Sequence, residues 1–448
     1  VPKLTSHRFQ LKQLIYLMIP ILITQFAQAG FGLIDTIMAG RLSPTDLASI
    51  AVAVGIWLPV MLLASGIMIA TSPLVAEAKG AKDLEKIGSI ARQSLWVAFV
   101  IGVIAGLILQ LMPFLLPLFK VPASLQPKAS LFLHAIGLGM PAVTMYAALR
   151  SYSEALGFPR PVTVISLAAL LVLIPLNLIF MHGWGPIPAL GSAGCGFATA
   201  ILQWLMFITL ARYIAKATRY QKTPVFNLWE RIDPYWVKRI LALGFPIGLA
   251  IFFEVSIFST AVLVLSPLGE TTVAAHQIAM SVTSQLFMIP MSLAIALTIR
   301  VGIYYGEKNY AAMRAVQKVG LILSTVFALF TMSLIWFFRP EIIVQYSKDL
   351  AVTQVAMYLL LFAMAYQIMD AWQVSAAGCL RGMQDTQATM WITMLAYWII
   401  AFPVGIYLAR FTDMGASGVW IGLIVGLSVA CVLLLSRLYY NNKRLAQL

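Results

Sequence analysis

Long apolar runs, broken by short polar connections, follow one another along the whole chain. Residues 13–34 carry no charged side chain at all. As a helix rising ~1.5 Å per residue, a run of about 20 residues crosses the ~30 Å hydrocarbon core of a bilayer. Twelve such segments can be placed, at 11–39, 47–78, 88–119, 131–156, 162–181, 195–214, 236–266, 273–304, 313–338, 352–380, 389–409 and 419–439. Several exceed the required length, which implies tilt or extension beyond the bilayer. The pattern predicts an all-α polytopic membrane protein with twelve transmembrane helices.

Composition agrees. Of the 448 residues 61% are hydrophobic and 10% charged, against about 25% charged in a soluble domain. The net charge of +14 would suggest nucleic acid for a soluble protein. Here the basic residues flank apolar segments, so topology and anionic lipid account for them and no nucleic-acid partner is expected. Assigning alternate connections to one side puts 24 of the 30 basic residues on the side that holds both termini. That bias makes the termini cytoplasmic and supports an even number of spans. The first apolar run is too long for a signal-peptide core and ends in no small-residue cleavage site, so no cleaved leader is expected. Cys195, Cys379 and Cys431 lie in apolar segments and read as packing residues. No Walker loop, zinc-spaced Cys/His cluster or Ser/His/Asp constellation is present. An enzyme is not expected, nor a cofactor.

The densest polar stretch separates two sets of six spans, giving an N-lobe at 1–216, a cytoplasmic linker at 217–233 and a C-lobe at 234–448. Sliding one half over the other by 226 positions aligns Pro20 with Pro246, Ala48 with Ala274, Ala53 with Ala279 and Gly80 with Gly306. The last pair lies in matching turns, AEAKGAKD and IYYGEKNY, and LGSAGCG further on resembles MGASGVW. Six spans per half preserve orientation, so the lobes would be related by a pseudo-two-fold axis along the membrane normal. Substrate would then bind between two bundles that rock against each other, which is a transporter architecture.

Three acids lie where lipid is expected. Glu254 is fifteen residues from Arg239 and sixteen from Glu270; Asp370 is eleven from Arg381 and twenty-one from Asp349. A carboxylate at mid-bilayer costs about 2.5–3.5 kcal/mol on insertion scales, so each must face protein or water. Such a group can carry a proton, or join other oxygens to hold a bare Na⁺. Asp35 is only six residues from Arg41, and by position it fits either an interfacial acid or a coupling site. Gln25, Gln28, Gln277, Gln285, Gln367 and Gln373 read as interhelical hydrogen-bonding groups. His276, just after the turn PLGET, reads as a wet helix end. Pro20, Pro175, Pro246 and Pro403 lie inside spans, where they kink or hinge helices. The 21 Met residues mostly pack, and also suit a surface that accepts many shapes.

GFGLIDTIMAG (30–40), PLNLIFMHG (175–183), LGSAGCGFATA (190–200), GFPIGLAIFFE (244–254) and AAGCLRGMQD (376–385) resemble, in order, motifs of the multidrug and toxic compound extrusion family, in its NorM-type bacterial branch. The resemblance implies a monomeric antiporter of the cell inner membrane, bathed in membrane lipids and conferring antibiotic resistance. It would export small cationic and amphipathic drugs and dyes in exchange for H⁺ or Na⁺. The family's N-lobe acid falls on Asp35, with Asn177 and Thr199 as its polar partners, and its C-lobe cation-binding acids fall on Glu254 and Asp370. Gln277 and Tyr366 are further C-lobe candidates. Where many relatives have an Asn four residues before Asn177, this chain has Leu173. Losing an oxygen weakens the case for Na⁺ there, because hard cations prefer several oxygen ligands. The reading favoured is H⁺ coupling, with protonation of Asp35 bending the first helix at Pro20. Na⁺ coupling through Glu254 and Asp370 is the alternative. A lipid-linked precursor flippase of similar architecture would line its cleft with cations, whereas the intramembrane charges here are acidic.

Overall fold

The computed structural model describes residues 5–118, 120–226 and 230–447. Phe119, the expected end of the third span, and 227–229 of the expected linker lie outside the described residues, as do 1–4 and 448. Twelve helices among the described residues are long and apolar enough to span a membrane. They are α1 (His7–Leu42), α2 (Pro44–Gly80), α3 (Leu84–Leu115), α4 (Gln126–Ala155), α5 (Arg160–His182) and α6 (Gly191–Lys216), followed by α7 (Pro234–Leu268), α8 (Glu270–Gly306), α9 (Tyr310–Tyr346), α10 (Leu350–Gly382), α11 (Thr386–Phe411) and α12 (Ala416–Leu445). Each overlaps one predicted segment, with α3 ending at Leu115 and α4 at Ala155, short of the expected 119 and 156. The helices are mostly longer than the apolar runs, because caps and polar first turns extend them past the hydrocarbon.

Two helices are interrupted. In α2 the chain leaves regular helix after Met68 and resumes at Thr71. In α11 residues Leu395–Ala401 form a π-helical stretch just before Pro403. Proline offers no N–H to the preceding turn, and a wider turn accommodates the loss. The helix on the far side, α12, approaches closely: a Cβ at Gly422 would fall 2.5 Å from the Gly405 Cα.

The internal repeat is visible in the local backbone. Lys82 and Lys308, 226 positions apart, both adopt left-handed φ, 59° and 55°. Each is followed by a capping residue. Asp83 accepts from the Lys86 N–H that opens α3, and Asn309 accepts from the Ala312 N–H that opens α9. Side-chain oxygens at these positions satisfy amides that the first helical turn leaves unpaired.

By packing, the chain forms two compact units, one of Val1–Leu22 with Leu249–Leu448 and one of Ile23–Gly248. Both boundaries fall within helices, two residues after Pro20 and two after Pro246. The unit containing Leu249–Leu448 has a core built on Ile278, Leu359, Leu360, Tyr397 and Trp420. The other has Ile50, Leu109, Phe132, Ile136 and Met140. Within this second unit α3 and α4 meet through glycines: a Cβ at Gly102 would lie 2.4 Å from the Pro141 Cα and 2.4 Å from Thr144 Oγ1. With no hydrophobic effect between helices in lipid, such close backbone approach supplies much of the association. Gly102→Ala is expected to cost ~1–3 kcal/mol by overpacking, read as a lower midpoint in thermal unfolding in detergent. Gly55→Ala, where nothing lies within 4 Å, should show no loss.

The segment after α6 is strapped to its unit. Tyr220 is buried and its hydroxyl lies 2.6 Å from Ser153 Oγ. Tyr152 donates to the Thr223 carbonyl, Arg92 to the Pro224 carbonyl, and Gln93 bonds both the Arg231 carbonyl and the Asp233 N–H. Glu230 closes the strap, accepting from Ser89 Oγ at 2.6 Å and Arg92 Nε at 2.6 Å. Burial alone would push its carboxyl up, but these hydrogen bonds and the Arg92 charge hold it below the ordinary value. A depressed carboxylate stabilises the folded form above its unfolded pKa and loses that contribution as pH falls through the folded value. Amide exchange protection across the strap, corrected for intrinsic rates, should therefore hold at neutral pH and fall only below about pH 4. Glu230→Gln should lack most of this protection at every pH.

Candidate functional sites

Two groups of acids stand inside the helices, one in each unit. In the Ile23–Gly248 unit, α1 brings Asp35 against α5 and α6. Asn177 Nδ2 donates to Asp35 Oδ1 at 2.7 Å and Thr199 Oγ1 donates to Oδ2 at 3.1 Å. Asp35 is 8% exposed, and Asn177 and Thr199 are buried. Arg41 forms no ion pair with it among the described residues. Asp35 is thus a buried, hydrogen-bonded acid. Leu173, one turn before Asn177, is fully buried and adds an apolar wall where an oxygen would otherwise sit.

The hydrogen bonds define what this acid can do. Both its oxygens accept, which suits a carboxylate. A carboxylic acid has one O–H to donate and needs an acceptor. Asn177 Oδ1 is buried and has no partner among the described residues. Rotating that amide would exchange a donor for an acceptor at Asp35.

Sequence reasoning missed the second anchor of α1. Arg150 on α4 donates through Nη1 to Gln28 Oε1 at 2.8 Å, through Nη2 to Gln25 Oε1 at 2.7 Å and through Nε to Glu154 at 2.8 Å. Arg150 counted by position as one more basic residue of a connection. The signal available was the pair of glutamines on one helix face, three residues apart, read only as generic interhelical bonding.

In the other unit, Glu254 on α7 is half-buried and Asp370 on α10 is 4% exposed. The two carboxylates lie within electrostatic reach of each other. Gln373 and Arg381, the latter 6% exposed, both act on Glu254 electrostatically. Arg381 also counted by position as a basic residue of a connection. Tyr366, one turn before Asp370, packs on Trp420 with ring centroids 6.1 Å apart. His276 meets the same indole edge-on at 5.8 Å. The expectation of a wet helix end for His276 is overturned: the residue is 0% exposed and neither ring nitrogen has a partner among the described residues. Its neighbour Gln277, about 100° further round the helix, is exposed. Trp420 Nε1 and the Tyr397 hydroxyl are also buried without partners among the described residues. Unpaired buried polar atoms cost ~1–3 kcal/mol each, and Tyr397 and Trp420 place two of them within this unit's core. Among the described residues no three His, Cys, Asp or Glu side chains converge as a metal site.

The duplicated halves have a counterpart among known proteins. The MatE family model matches twice, at residues 20–179 and 246–407, and the two matches start at the prolines 226 positions apart. The probable multidrug resistance protein NorM of Acinetobacter baylyi is 74% identical over 445 residues, covering 99% of each chain. The multidrug resistance protein PmpM of Pseudomonas aeruginosa is 40% identical, covering 98% of this chain and 93% of its own. The crystal structure of the eukaryotic MATE transporter AtDTX14 has the same fold, with a TM-score of 0.89 at 22% identity over 98% of each chain. An all-helical, twelve-span chain with a family match in each half is accounted for in one way: the chain belongs to the MatE family of membrane transporters and is a transporter, not an enzyme.

Proposed function

We propose that the chain is a multidrug efflux antiporter of the inner membrane, with both termini cytoplasmic, that exports cationic and amphipathic compounds in exchange for protons taken up at Asp35. The observation that carries this reading is the Asp35 hydrogen-bond set: two donors for the carboxylate, and an idle acceptor on Asn177 for the acid. Relatives named as multidrug resistance proteins support the substrate class, and so do buried acids, which complement cationic cargo. Protonation removes the charge that Asn177 and Thr199 hold. The amide rotates, α1 shifts relative to α5 and α6, and the bend at Pro20 narrows the space for drug. Drug and proton thereby exclude each other, and by linkage each weakens the other's binding equally.

Glu254 and Asp370 carry the second reading, in which Na⁺ is the coupling ion. Two neighbouring carboxylates with Tyr366 and Gln373 nearby offer the hard oxygens that Na⁺ prefers. Dye efflux from inverted vesicles, driven separately by a pH gradient and by a Na⁺ gradient, tests both. The proposal expects efflux with the pH gradient alone. Efflux with Na⁺ alone would transfer the coupling role to Glu254 and Asp370.

A further inference from the structure

A groove of about 690 Å³ opens between α9, α10 and α12, and its chemistry is opposite to that of the acid sites. Leu321, Ile322, Leu435 and Leu438 form apolar walls, and Trp372 and Tyr439 also line it. At its mouth stand Arg314 and Lys318 from the first turns of α9 and Lys443 from the last turn of α12. Among the described residues none of the three has a carboxylate or other polar partner. Asn442, held by Gln317 at 2.7 Å, also lines the groove, and its Oδ1 has no partner among the described residues.

The repeat shows how the two units differ here. Lys318 is 226 positions after Arg92, and Arg314 is 226 after Gly88. In the Ile23–Gly248 unit the strap covers that place: Glu230 neutralises Arg92, and the Pro224 carbonyl lies beside Gly88. In the other unit Arg314 takes the place of the glycine, so a second cation stands beside Lys318.

Length identifies the occupant. From Arg314 to Thr325, which receives the Trp372 indole N–H at 2.8 Å, is eleven residues of helix, or ~16 Å. That is about one leaflet of a ~30 Å hydrocarbon core. With the termini cytoplasmic, as proposed above, the groove opens in the inner leaflet, where anionic lipid is drawn to basic pockets between helices. We infer that this groove binds one anionic phospholipid, its phosphate on Arg314, Lys318 and Lys443 and an acyl chain along Ile322 and Leu435. Cationic cargo is excluded by the same three charges.

Native mass spectrometry of the full chain in detergent, with phosphatidylglycerol or phosphatidylethanolamine added, tests this without reference to transport. Phosphatidylglycerol should bind roughly tenfold more tightly, a conservative share of the ~1 kcal/mol expected per surface Lys or Arg. Arg314→Gln/Lys318→Gln/Lys443→Gln should remove the preference while zwitterionic lipid binding persists. Ile322→Trp keeps the charges and fills the apolar wall, and should also weaken phosphatidylglycerol binding. Equal binding of the two lipids overturns the inference, as does a preference that survives either variant. Full displacement by excess inorganic phosphate would overturn the lipid assignment in favour of a free-anion site.

Discussion

Asp35→Asn is expected to abolish pH-driven efflux while leaving the fold intact. The replacement is nearly isosteric. Its carbonyl can accept from Asn177 Nδ2, as Asp35 Oδ1 does at 2.7 Å, and its amide can donate to the Thr199 hydroxyl that now donates to Oδ2. The unfolding midpoint in detergent should therefore move by no more than ~1 kcal/mol equivalent, the net worth of one hydrogen bond. What disappears is the proton. In the intact protein, binding of a cationic dye should release about one proton, because drug and proton compete through one coupling free energy. The variant should release none, and its pH-driven efflux from vesicles should fall to the leak rate. Asn177→Ala, which removes one donor and the idle acceptor but keeps the acid, should slow efflux and still release protons. Equal proton release from the intact protein and Asp35→Asn would remove Asp35 from the mechanism.

The second large effect is on stability. Arg150 and Glu154 are an ion pair at 2.8 Å with side chains 14% and 5% exposed. Arg150→Met leaves Glu154 charged and buried, and strips Gln25 and Gln28 of the donor that ties α1 to α4. Breaking one side of a buried pair typically costs ~3–5 kcal/mol, which for a chain of this length should lower the thermal midpoint by roughly 3–5 °C. The double variant Arg150→Met/Glu154→Gln removes the stranded charge and should recover more than half of the loss. Arg150→Lys should fall between, since an ammonium cannot present the fork of donors that reaches three acceptors on two helices. A change under ~0.5 kcal/mol for Arg150→Met, the size expected of a surface substitution, would show that the cluster does not secure α1.

How much of this was legible in the sequence differs by element. The spans were, because ~30 Å of hydrocarbon demands about 20 apolar residues per helix and tolerates few exceptions. The repeat was, through Pro20 and Pro246 and the turns at Gly80 and Gly306; the family matches at 20–179 and 246–407 have the same offset. Depth along a helix picked out Glu254 and Asp370, because an intramembrane carboxylate is costly wherever the helix goes. Direction around a helix was not legible. His276 and Gln277 are neighbours in sequence, yet one is buried against Trp420 and the other is exposed. Nor was the strap after α6, whose polar composition read as a linker although its Glu230 side chain binds Ser89 and Arg92 and its backbone binds Gln93.

By itself, then, the amino-acid order determined the twelve helices, their duplication and the presence of acids that lipid could not bear. These follow from solvent: hydrocarbon penalises each exposed polar group locally, so each segment declares its own place in or out of the bilayer. Only the tertiary structure decided which groups meet. Asp35 gains its partners from residues 142 and 164 positions away, and Arg150 reaches 122 and 125 positions back to Gln28 and Gln25. Such contacts depend on how helices turn their faces to one another, a property of packed neighbours that no single segment contains.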